Sequence, residues 1–165
     1  MQSGIFYFIS DDYYNKFEGN NLMPNKDETD KGGHGRPCYY SFKEKDSDIM
    51  WMIPISSQIE KFDEIYNERI KRYKSYDGIK FGYVLGKKKA FLIQNMCPVT
   101  DKYILNEYID NATNKPVVIN PSLMGELNAS ARKAVRLYRQ GIKIVFANIL
   151  NIEKILLAEL EEDKK

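Results

Sequence analysis

The segment RPCYYSFKEKDSDIMWMIPIS, residues 36–56, decides how this chain is read. RPCYYSFKE and DIMWMIPI are each rich in aromatic and aliphatic residues, and the charged run KEKDSD joins them as a turn, so the segment predicts two paired strands. Upstream lies EGNNLMPNKDETDKGGHG, residues 18–35, polar and rich in Gly, Asn and Asp. A structureless stretch of this length inside a domain is usually functional, and it is expected to be a mobile loop. It delivers His34, the only histidine, directly ahead of Arg36. Downstream, Ser56 and Ser57 end the second strand. Ser57 and Glu60 have capping-box spacing, and Ile59, Phe62, Ile65, Tyr66, Ile70 and Tyr73 keep helical period, which predicts a helix over about 58–75.

Working outward, SGIFYFIS (3–10) reads as a first strand and DDYYNKF as a short helical segment. KFGYVLG and KKAFLIQN form a hairpin turning near Gly86. Residues 100–109 are expected to hold a short helix, and PVVIN (116–120) a short strand. Asn120-Pro121 is an N-cap followed by proline at the first helical position, and Gly141 stops that helix. KIVFA (143–147) reads as the last strand. NILNIEKILLAELEEDKK closes the chain as an amphipathic helix with a frayed tail at 161–165. The expected fold is α+β in one domain, 1–165, with mostly antiparallel strands and separate helices.

A chain of 165 residues with 43% hydrophobic and 29% charged residues can bury a substantial core. No apolar run approaches ~20 residues, and the N-terminus lacks the marks of a signal peptide, so a cytoplasmic address and no membrane partner are expected. Cys38 and Cys97 are far apart and set in apolar sequence, as buried reduced thiols are. One histidine and two separated cysteines fall short of the roughly four N/S ligands of a structural zinc site, so neither a metal site nor a cofactor is expected. The net charge of +2 says little, but basic residues gather at 71–74, 87–89 and 131–139.

Two hydroxyls at a strand end beside a helix N-terminus suit a phosphate, although Ser57 capping its helix and Ser56 filling a turn would look the same. Arg36 precedes the strand that pairs with the one ending at Ser56, and a guanidinium forks onto phosphate oxygens. His34 has the free pKa of a general base, or is simply solvated. Tyr7, Tyr13, Tyr39 and Tyr40 are core aromatics or base-stacking platforms. Lys43 and Lys61 are candidate phosphate neutralisers. Arg132, Arg136 and Arg139, with Lys133 beside them, form a basic stripe on the helix over about 121–140, which fits RNA docking or a solvated face paired with scattered acids.

With these residues assembled, the chain resembles the toxins of type III toxin–antitoxin systems, the ToxN/AbiQ/CptN/TenpN endoribonucleases, and most of all the CptN branch. It is more distantly similar to the MazF/Kid barrels. The resemblance rests on FYFISDDYY, a long loop into GRPCYY, then MWMIPISSQIEK and KFGYVLGKKKAFLIQNMCPVTDKYI, and covers nearly the whole chain. It implies an antiparallel SH3-like, MazF/Kid-like partly closed barrel or sheet with several flanking helices. It also implies metal-independent cutting of RNA, at adenine-rich sites, by attack of a 2′-hydroxyl on the adjacent phosphate. The family's basic residue falls on Arg36, its hydroxyl pair on Ser56 and Ser57, and its early tyrosine on Tyr13. Its following lysine is replaced by Gln58, with Lys61 one turn on. The implied partners are cellular mRNA and an antitoxin RNA of pseudoknot repeats, assembled with the protein into a hetero-oligomer. The competing readings are a non-catalytic RNA-binding module and an SH3-like peptide-binding module.

Overall fold

A computed structural model of the chain describes residues 1–26 and 35–165. The first strand β1 (Phe6–Ile9) leads into the short helix α1 (Asp11–Lys16). Strands β2 (Cys38–Lys43) and β3 (Met50–Ser56) are the predicted hairpin. Every residue of β3 is buried. A strand covered on both faces needs no alternation, which is why MWMIPI is continuously apolar. Pro54 sits in this central strand at a permissive place. On one side of β3, Met50–Met52 pair with β6 (Cys97–Val99) and Ile55–Ser56 pair with β5 (Lys87–Phe91), so Pro54 falls where the partner changes. A missing N–H costs least in such a gap.

Helix α2 (Ile59–Tyr73) follows at once, then β4 (Lys80–Val84), which turns through Leu85 and Gly86 into β5. Both turn residues have positive φ, 52° and 76°, the conformation a tight two-residue hairpin demands. A 3-10 turn at Asp101–Tyr103 runs into strand β7 (Ile104–Glu107), so the helix expected over 100–109 is confined to three residues. Two-residue strands β8 (Ile109–Asp110) and β9 (Lys115–Pro116) form a small separate ladder. Helices α3 (Pro121–Arg139) and α4 (Ile149–Asp163) complete the chain.

The seven-stranded sheet runs β4-β5-β3-β2-β1-β7, with β6 also on β3, and every pairing is antiparallel. The expected antiparallel α+β organisation is present. The order ends at β4 and β7, and no closed barrel forms among the described residues. Asn120 caps α3 as expected, its Oδ1 accepting from the Ser122 N–H at 2.8 Å, with Pro121 at the first helical position. No described helix is long and apolar enough to cross a membrane.

Several expectations are corrected. Of PVVIN, only Pro116 lies in a strand; Val117 is buried and donates its N–H to the Tyr108 carbonyl. KIVFA is no strand at all: Val145 and Ala147 turn inward and Phe146 outward, and the Phe146 N–H donates to the Gln94 carbonyl. Alternating burial there comes from packing without a ladder. The tail expected to fray at 161–165 is helical through Asp163. The expected loop lies partly outside the described residues. Its described part is tied down, with Asn20 accepting from Asn148 and Asn25 from Arg36.

Candidate active site

Arg36 and Pro37 enter β2 opposite the end of β3, and the pairing of Cys38 with Pro54 sets that register. The guanidinium Nη1 donates to the Ile55 carbonyl at 2.9 Å and Nε to the Pro24 carbonyl at 3.4 Å. Its backbone N–H is shared between the Asn25 carbonyl (2.7 Å) and the Asn25 Oδ1 (3.2 Å). Asn25 is itself fixed, donating through Nδ2 to the Ile9 carbonyl and to Asp11. Gly35 lets Asn25 close in: a Cβ there would lie 2.8 Å from Asn25 Oδ1 and push that side chain aside. Arg36 is thus held in place at 7% exposure.

An open cavity of about 180 Å³ adjoins it, lined by Arg36, Ser56, Ser57, Lys89, Asn25 and Tyr108 among others. No carboxylate and no thiol lines it among the described residues. Ser56 is buried, and its Oγ accepts from the Gln58 N–H at 3.2 Å. Ser57 is exposed and does not cap α2, whose first turn has no side-chain cap; the capping-box expectation is therefore corrected. Its Oγ instead accepts from Lys89 Nζ at 3.2 Å.

Lys89 is the residue the sequence reading missed at this place. It arrives because β5 pairs with β3, Ala90 standing opposite Ser56. Burial lowers its pKa, and the neighbouring Lys87 charge lowers it further. Tyr108 was missed as well; its ring packs edge-on to Phe6 and Phe8 at the cavity's rim. The arrangement offers two cations of different kinds, a fixed guanidinium and a partly buried amine, with two hydroxyls in the same lining. Such a set accepts a phosphate and stabilises added negative charge on it.

The other expected site residues lie elsewhere. Tyr13 is fully buried and donates its hydroxyl to the Pro98 carbonyl at 2.7 Å; burial pushes its phenol well up. It is a core residue and does not line the cavity. Tyr14, next along, is partly buried; burial raises its phenol strongly, against the opposing charge of Arg36. Lys61 is on the exposed face of α2 with its ammonium over the Phe62 ring, and does not line the cavity. His34 lies outside the described residues. Tyr7 and Tyr39 are buried in the core, so neither ring is open to a base. Lys43 pairs with Asp48 at 2.6 Å beside a different cavity, near Lys102 and Glu159.

The basic stripe of α3 is exposed but largely engaged. Arg132 lies over the Phe42 ring at 4.2 Å, and Lys133 bonds Asp77 at 2.9 Å. Arg139 bridges Glu44 (2.8 Å) and Glu153 (2.7 Å). Its partners come from other elements, which the composition of the helix alone does not disclose. Arg136 is exposed and makes no ion pair among the described residues.

This open antiparallel sheet with helices on its flanks is the fold of a solved endoribonuclease of the type III toxin–antitoxin class. That structure is AbiQ, a lactococcal anti-phage enzyme; it matches with a TM-score of 0.68 over 97% of this chain and 99% of that one, at 14% identity. No protein-family model matches the sequence, and no protein of established function matches it at the sequence level.

Proposed function

We propose that this protein is an endoribonuclease toxin of the type III toxin–antitoxin kind, cutting RNA at the Arg36 cavity. The observation that carries the reading is the convergence of Arg36, Ser56, Ser57 and Lys89 on one cavity that no carboxylate lines among the described residues. The 2′-hydroxyl attacks the adjacent phosphorus and gives up its proton to water. The bond to the 5′-oxygen breaks, leaving a 2′,3′-cyclic phosphate and a 5′-hydroxyl. Arg36 holds the non-bridging oxygens as charge builds on them, and fixed donors of this kind contribute about 100-fold or more to rate. Ser57 and Lys89 lie where the phosphate's other side would rest, and Lys89 supplies the proton that the departing 5′-oxygen takes. Ser56 braces the strand end through Gln58. The likeness of the whole chain to an endoribonuclease fold supports the same reading, and with it an antitoxin RNA built of pseudoknot repeats as the inhibitor and cellular mRNA as the target.

The test is incubation with an adenine-rich RNA in EDTA, beside the same RNA carrying a 2′-deoxy at the cut position. Discrete cuts ending in cyclic phosphate, abolished by the 2′-deoxy, are expected. Binding without cleavage would replace the enzyme by a non-catalytic RNA-binding module.

A further inference from the structure

The segment IKIVFA, residues 142–147, presents an aromatic ring to solvent from a backbone that is firmly held. Phe146 is 48% exposed between the buried Val145 and Ala147. Its N–H donates to the Gln94 carbonyl at 2.9 Å, and the Gln94 N–H donates to the Gly78 carbonyl at 2.8 Å. Gln94 is itself buried, and its Oε1 accepts from the Tyr76 hydroxyl at 2.5 Å. The ring therefore stands on a hydrogen-bonded floor.

Two adjoining cavities, of about 390 Å³ and 360 Å³, meet at Phe146 and Arg69. The first also takes in Tyr73, Asp77, Lys133 and Lys143, the second Glu68 and Arg72. Asp77 is already neutralised by Lys133 (2.9 Å) and Lys80 (3.8 Å). That leaves Arg69, Arg72 and Lys143 against Glu68 alone, and none of the three makes an ion pair among the described residues. Arg69 and Arg72 sit over the rings of Tyr76 and Tyr73, at 5.7 and 5.4 Å. Flat rings interleaved with uncompensated cations are what an unpaired nucleic-acid strand requires: faces for its bases and charge for its phosphates.

We propose that this groove is a second RNA-binding surface, which takes an unpaired stretch of RNA with a base on Phe146 and phosphates at Arg69, Arg72 and Lys143. The proposal rests on the reading of the chain as an RNA-cutting protein and extends it. Helix α2 joins the two places. It begins two residues beyond Ser57, and Arg69 lies ten residues further on, about 15 Å along the axis. The two places therefore lie within the reach of one short strand of RNA along that axis.

The test is the affinity of the full chain, by fluorescence anisotropy, for single-stranded adenine-rich 2′-O-methyl RNAs of 15 and 3 nucleotides. The shorter one falls below the stretch of about 4–16 nucleotides that such surfaces hold. Phe146→Ala and Arg72→Ala should each weaken binding of the 15-mer about tenfold and leave the 3-mer unaffected. Arg72→Ala should also lessen the salt dependence, by about one counterion, whereas Phe146→Ala should not. Phe146→Trp should retain the affinity, which separates stacking from loss of packing. Wild-type affinity and salt slope in both alanine variants, as a protein-docking groove would give, overturn the proposal. Cleavage of unmodified RNA is scored separately, so failure of the enzymatic reading and failure of this groove are told apart.

Discussion

Lys89 is the residue on which the cavity's response to pH turns. A free lysine titrates near about 10.4; burial and then the charge of Lys87 hold this one lower. If the protonated amine serves the departing oxygen, single-turnover cleavage should fall on the alkaline side before an ordinary lysine would titrate. Lys87→Ala removes a repelling charge, so the alkaline limb should move to higher pH. An unchanged limb would mean that Lys89 does not govern it. Lys89→Ala and Arg36→Ala should each slow cleavage about 100-fold or more while leaving the melting temperature within a few degrees for Lys89. Arg36, Ser56 and Ser57 were legible in the sequence because they belong to a local hairpin, where register follows from neighbours. Lys89 was not, since its place depends on β5 pairing with β3 across 32 residues. Tyr13 could not be placed from the sequence for a different reason: an aromatic beside a strand looks alike whether its hydroxyl meets RNA or, as here, the Pro98 carbonyl.

The β4–β5 hairpin carries Lys89, and its turn holds one residue that such turns disfavour. Leu85 is half exposed and sits at φ 52° before Gly86. Left-handed backbone costs an ordinary residue about 1 kcal/mol or more, so Leu85→Asn should raise the unfolding free energy in urea titrations by about 1 kcal/mol and leave cleavage intact. Helix α4 is anchored through Glu159, which accepts from the Tyr103 hydroxyl at 2.9 and 3.0 Å and pairs with Lys16 and Lys102. Burial alone would raise this carboxyl, but hydrogen bonds from Lys16 and Tyr103 outweigh it and hold the pKa below the usual range. A depressed carboxyl stabilises the fold above its unfolded value of about 4.3, and the gain is lost as pH falls through the folded value. Glu159→Gln should therefore cost about 1–2 kcal/mol at pH 7 in urea titrations, and much less at pH 3. Helix α3 was the most legible element, because Asn120-Pro121 and the apolar period bound it from the sequence alone. PVVIN and KIVFA misled because buried alternation arises from packing as readily as from a ladder.

Across the molecule, one sheet organises everything else. Strand β3 is its axis, pairing with β2 on one side and with β6 and β5 in succession on the other. The cavity lies where β3 ends, the β2 entry and β5 meet, and α2 begins. The class of fold could be read from the run of short strands and capped helices. The order of strands could not, because it is set by contacts between segments remote in sequence. Cys38 and Cys97 are buried within this sheet as free thiols. Burial pushes Cys97 up to about 12 and Cys38 well above the usual thiol range, so neither offers thiolate at neutral pH. A thiol reagent can reach them only when β2 or β6 comes away from β3. Their rate of labelling is thus a clock for opening of the central sheet. Native protein at pH 8 should react over hours or longer, and its two thiols should report at one rate if the sheet opens as a unit.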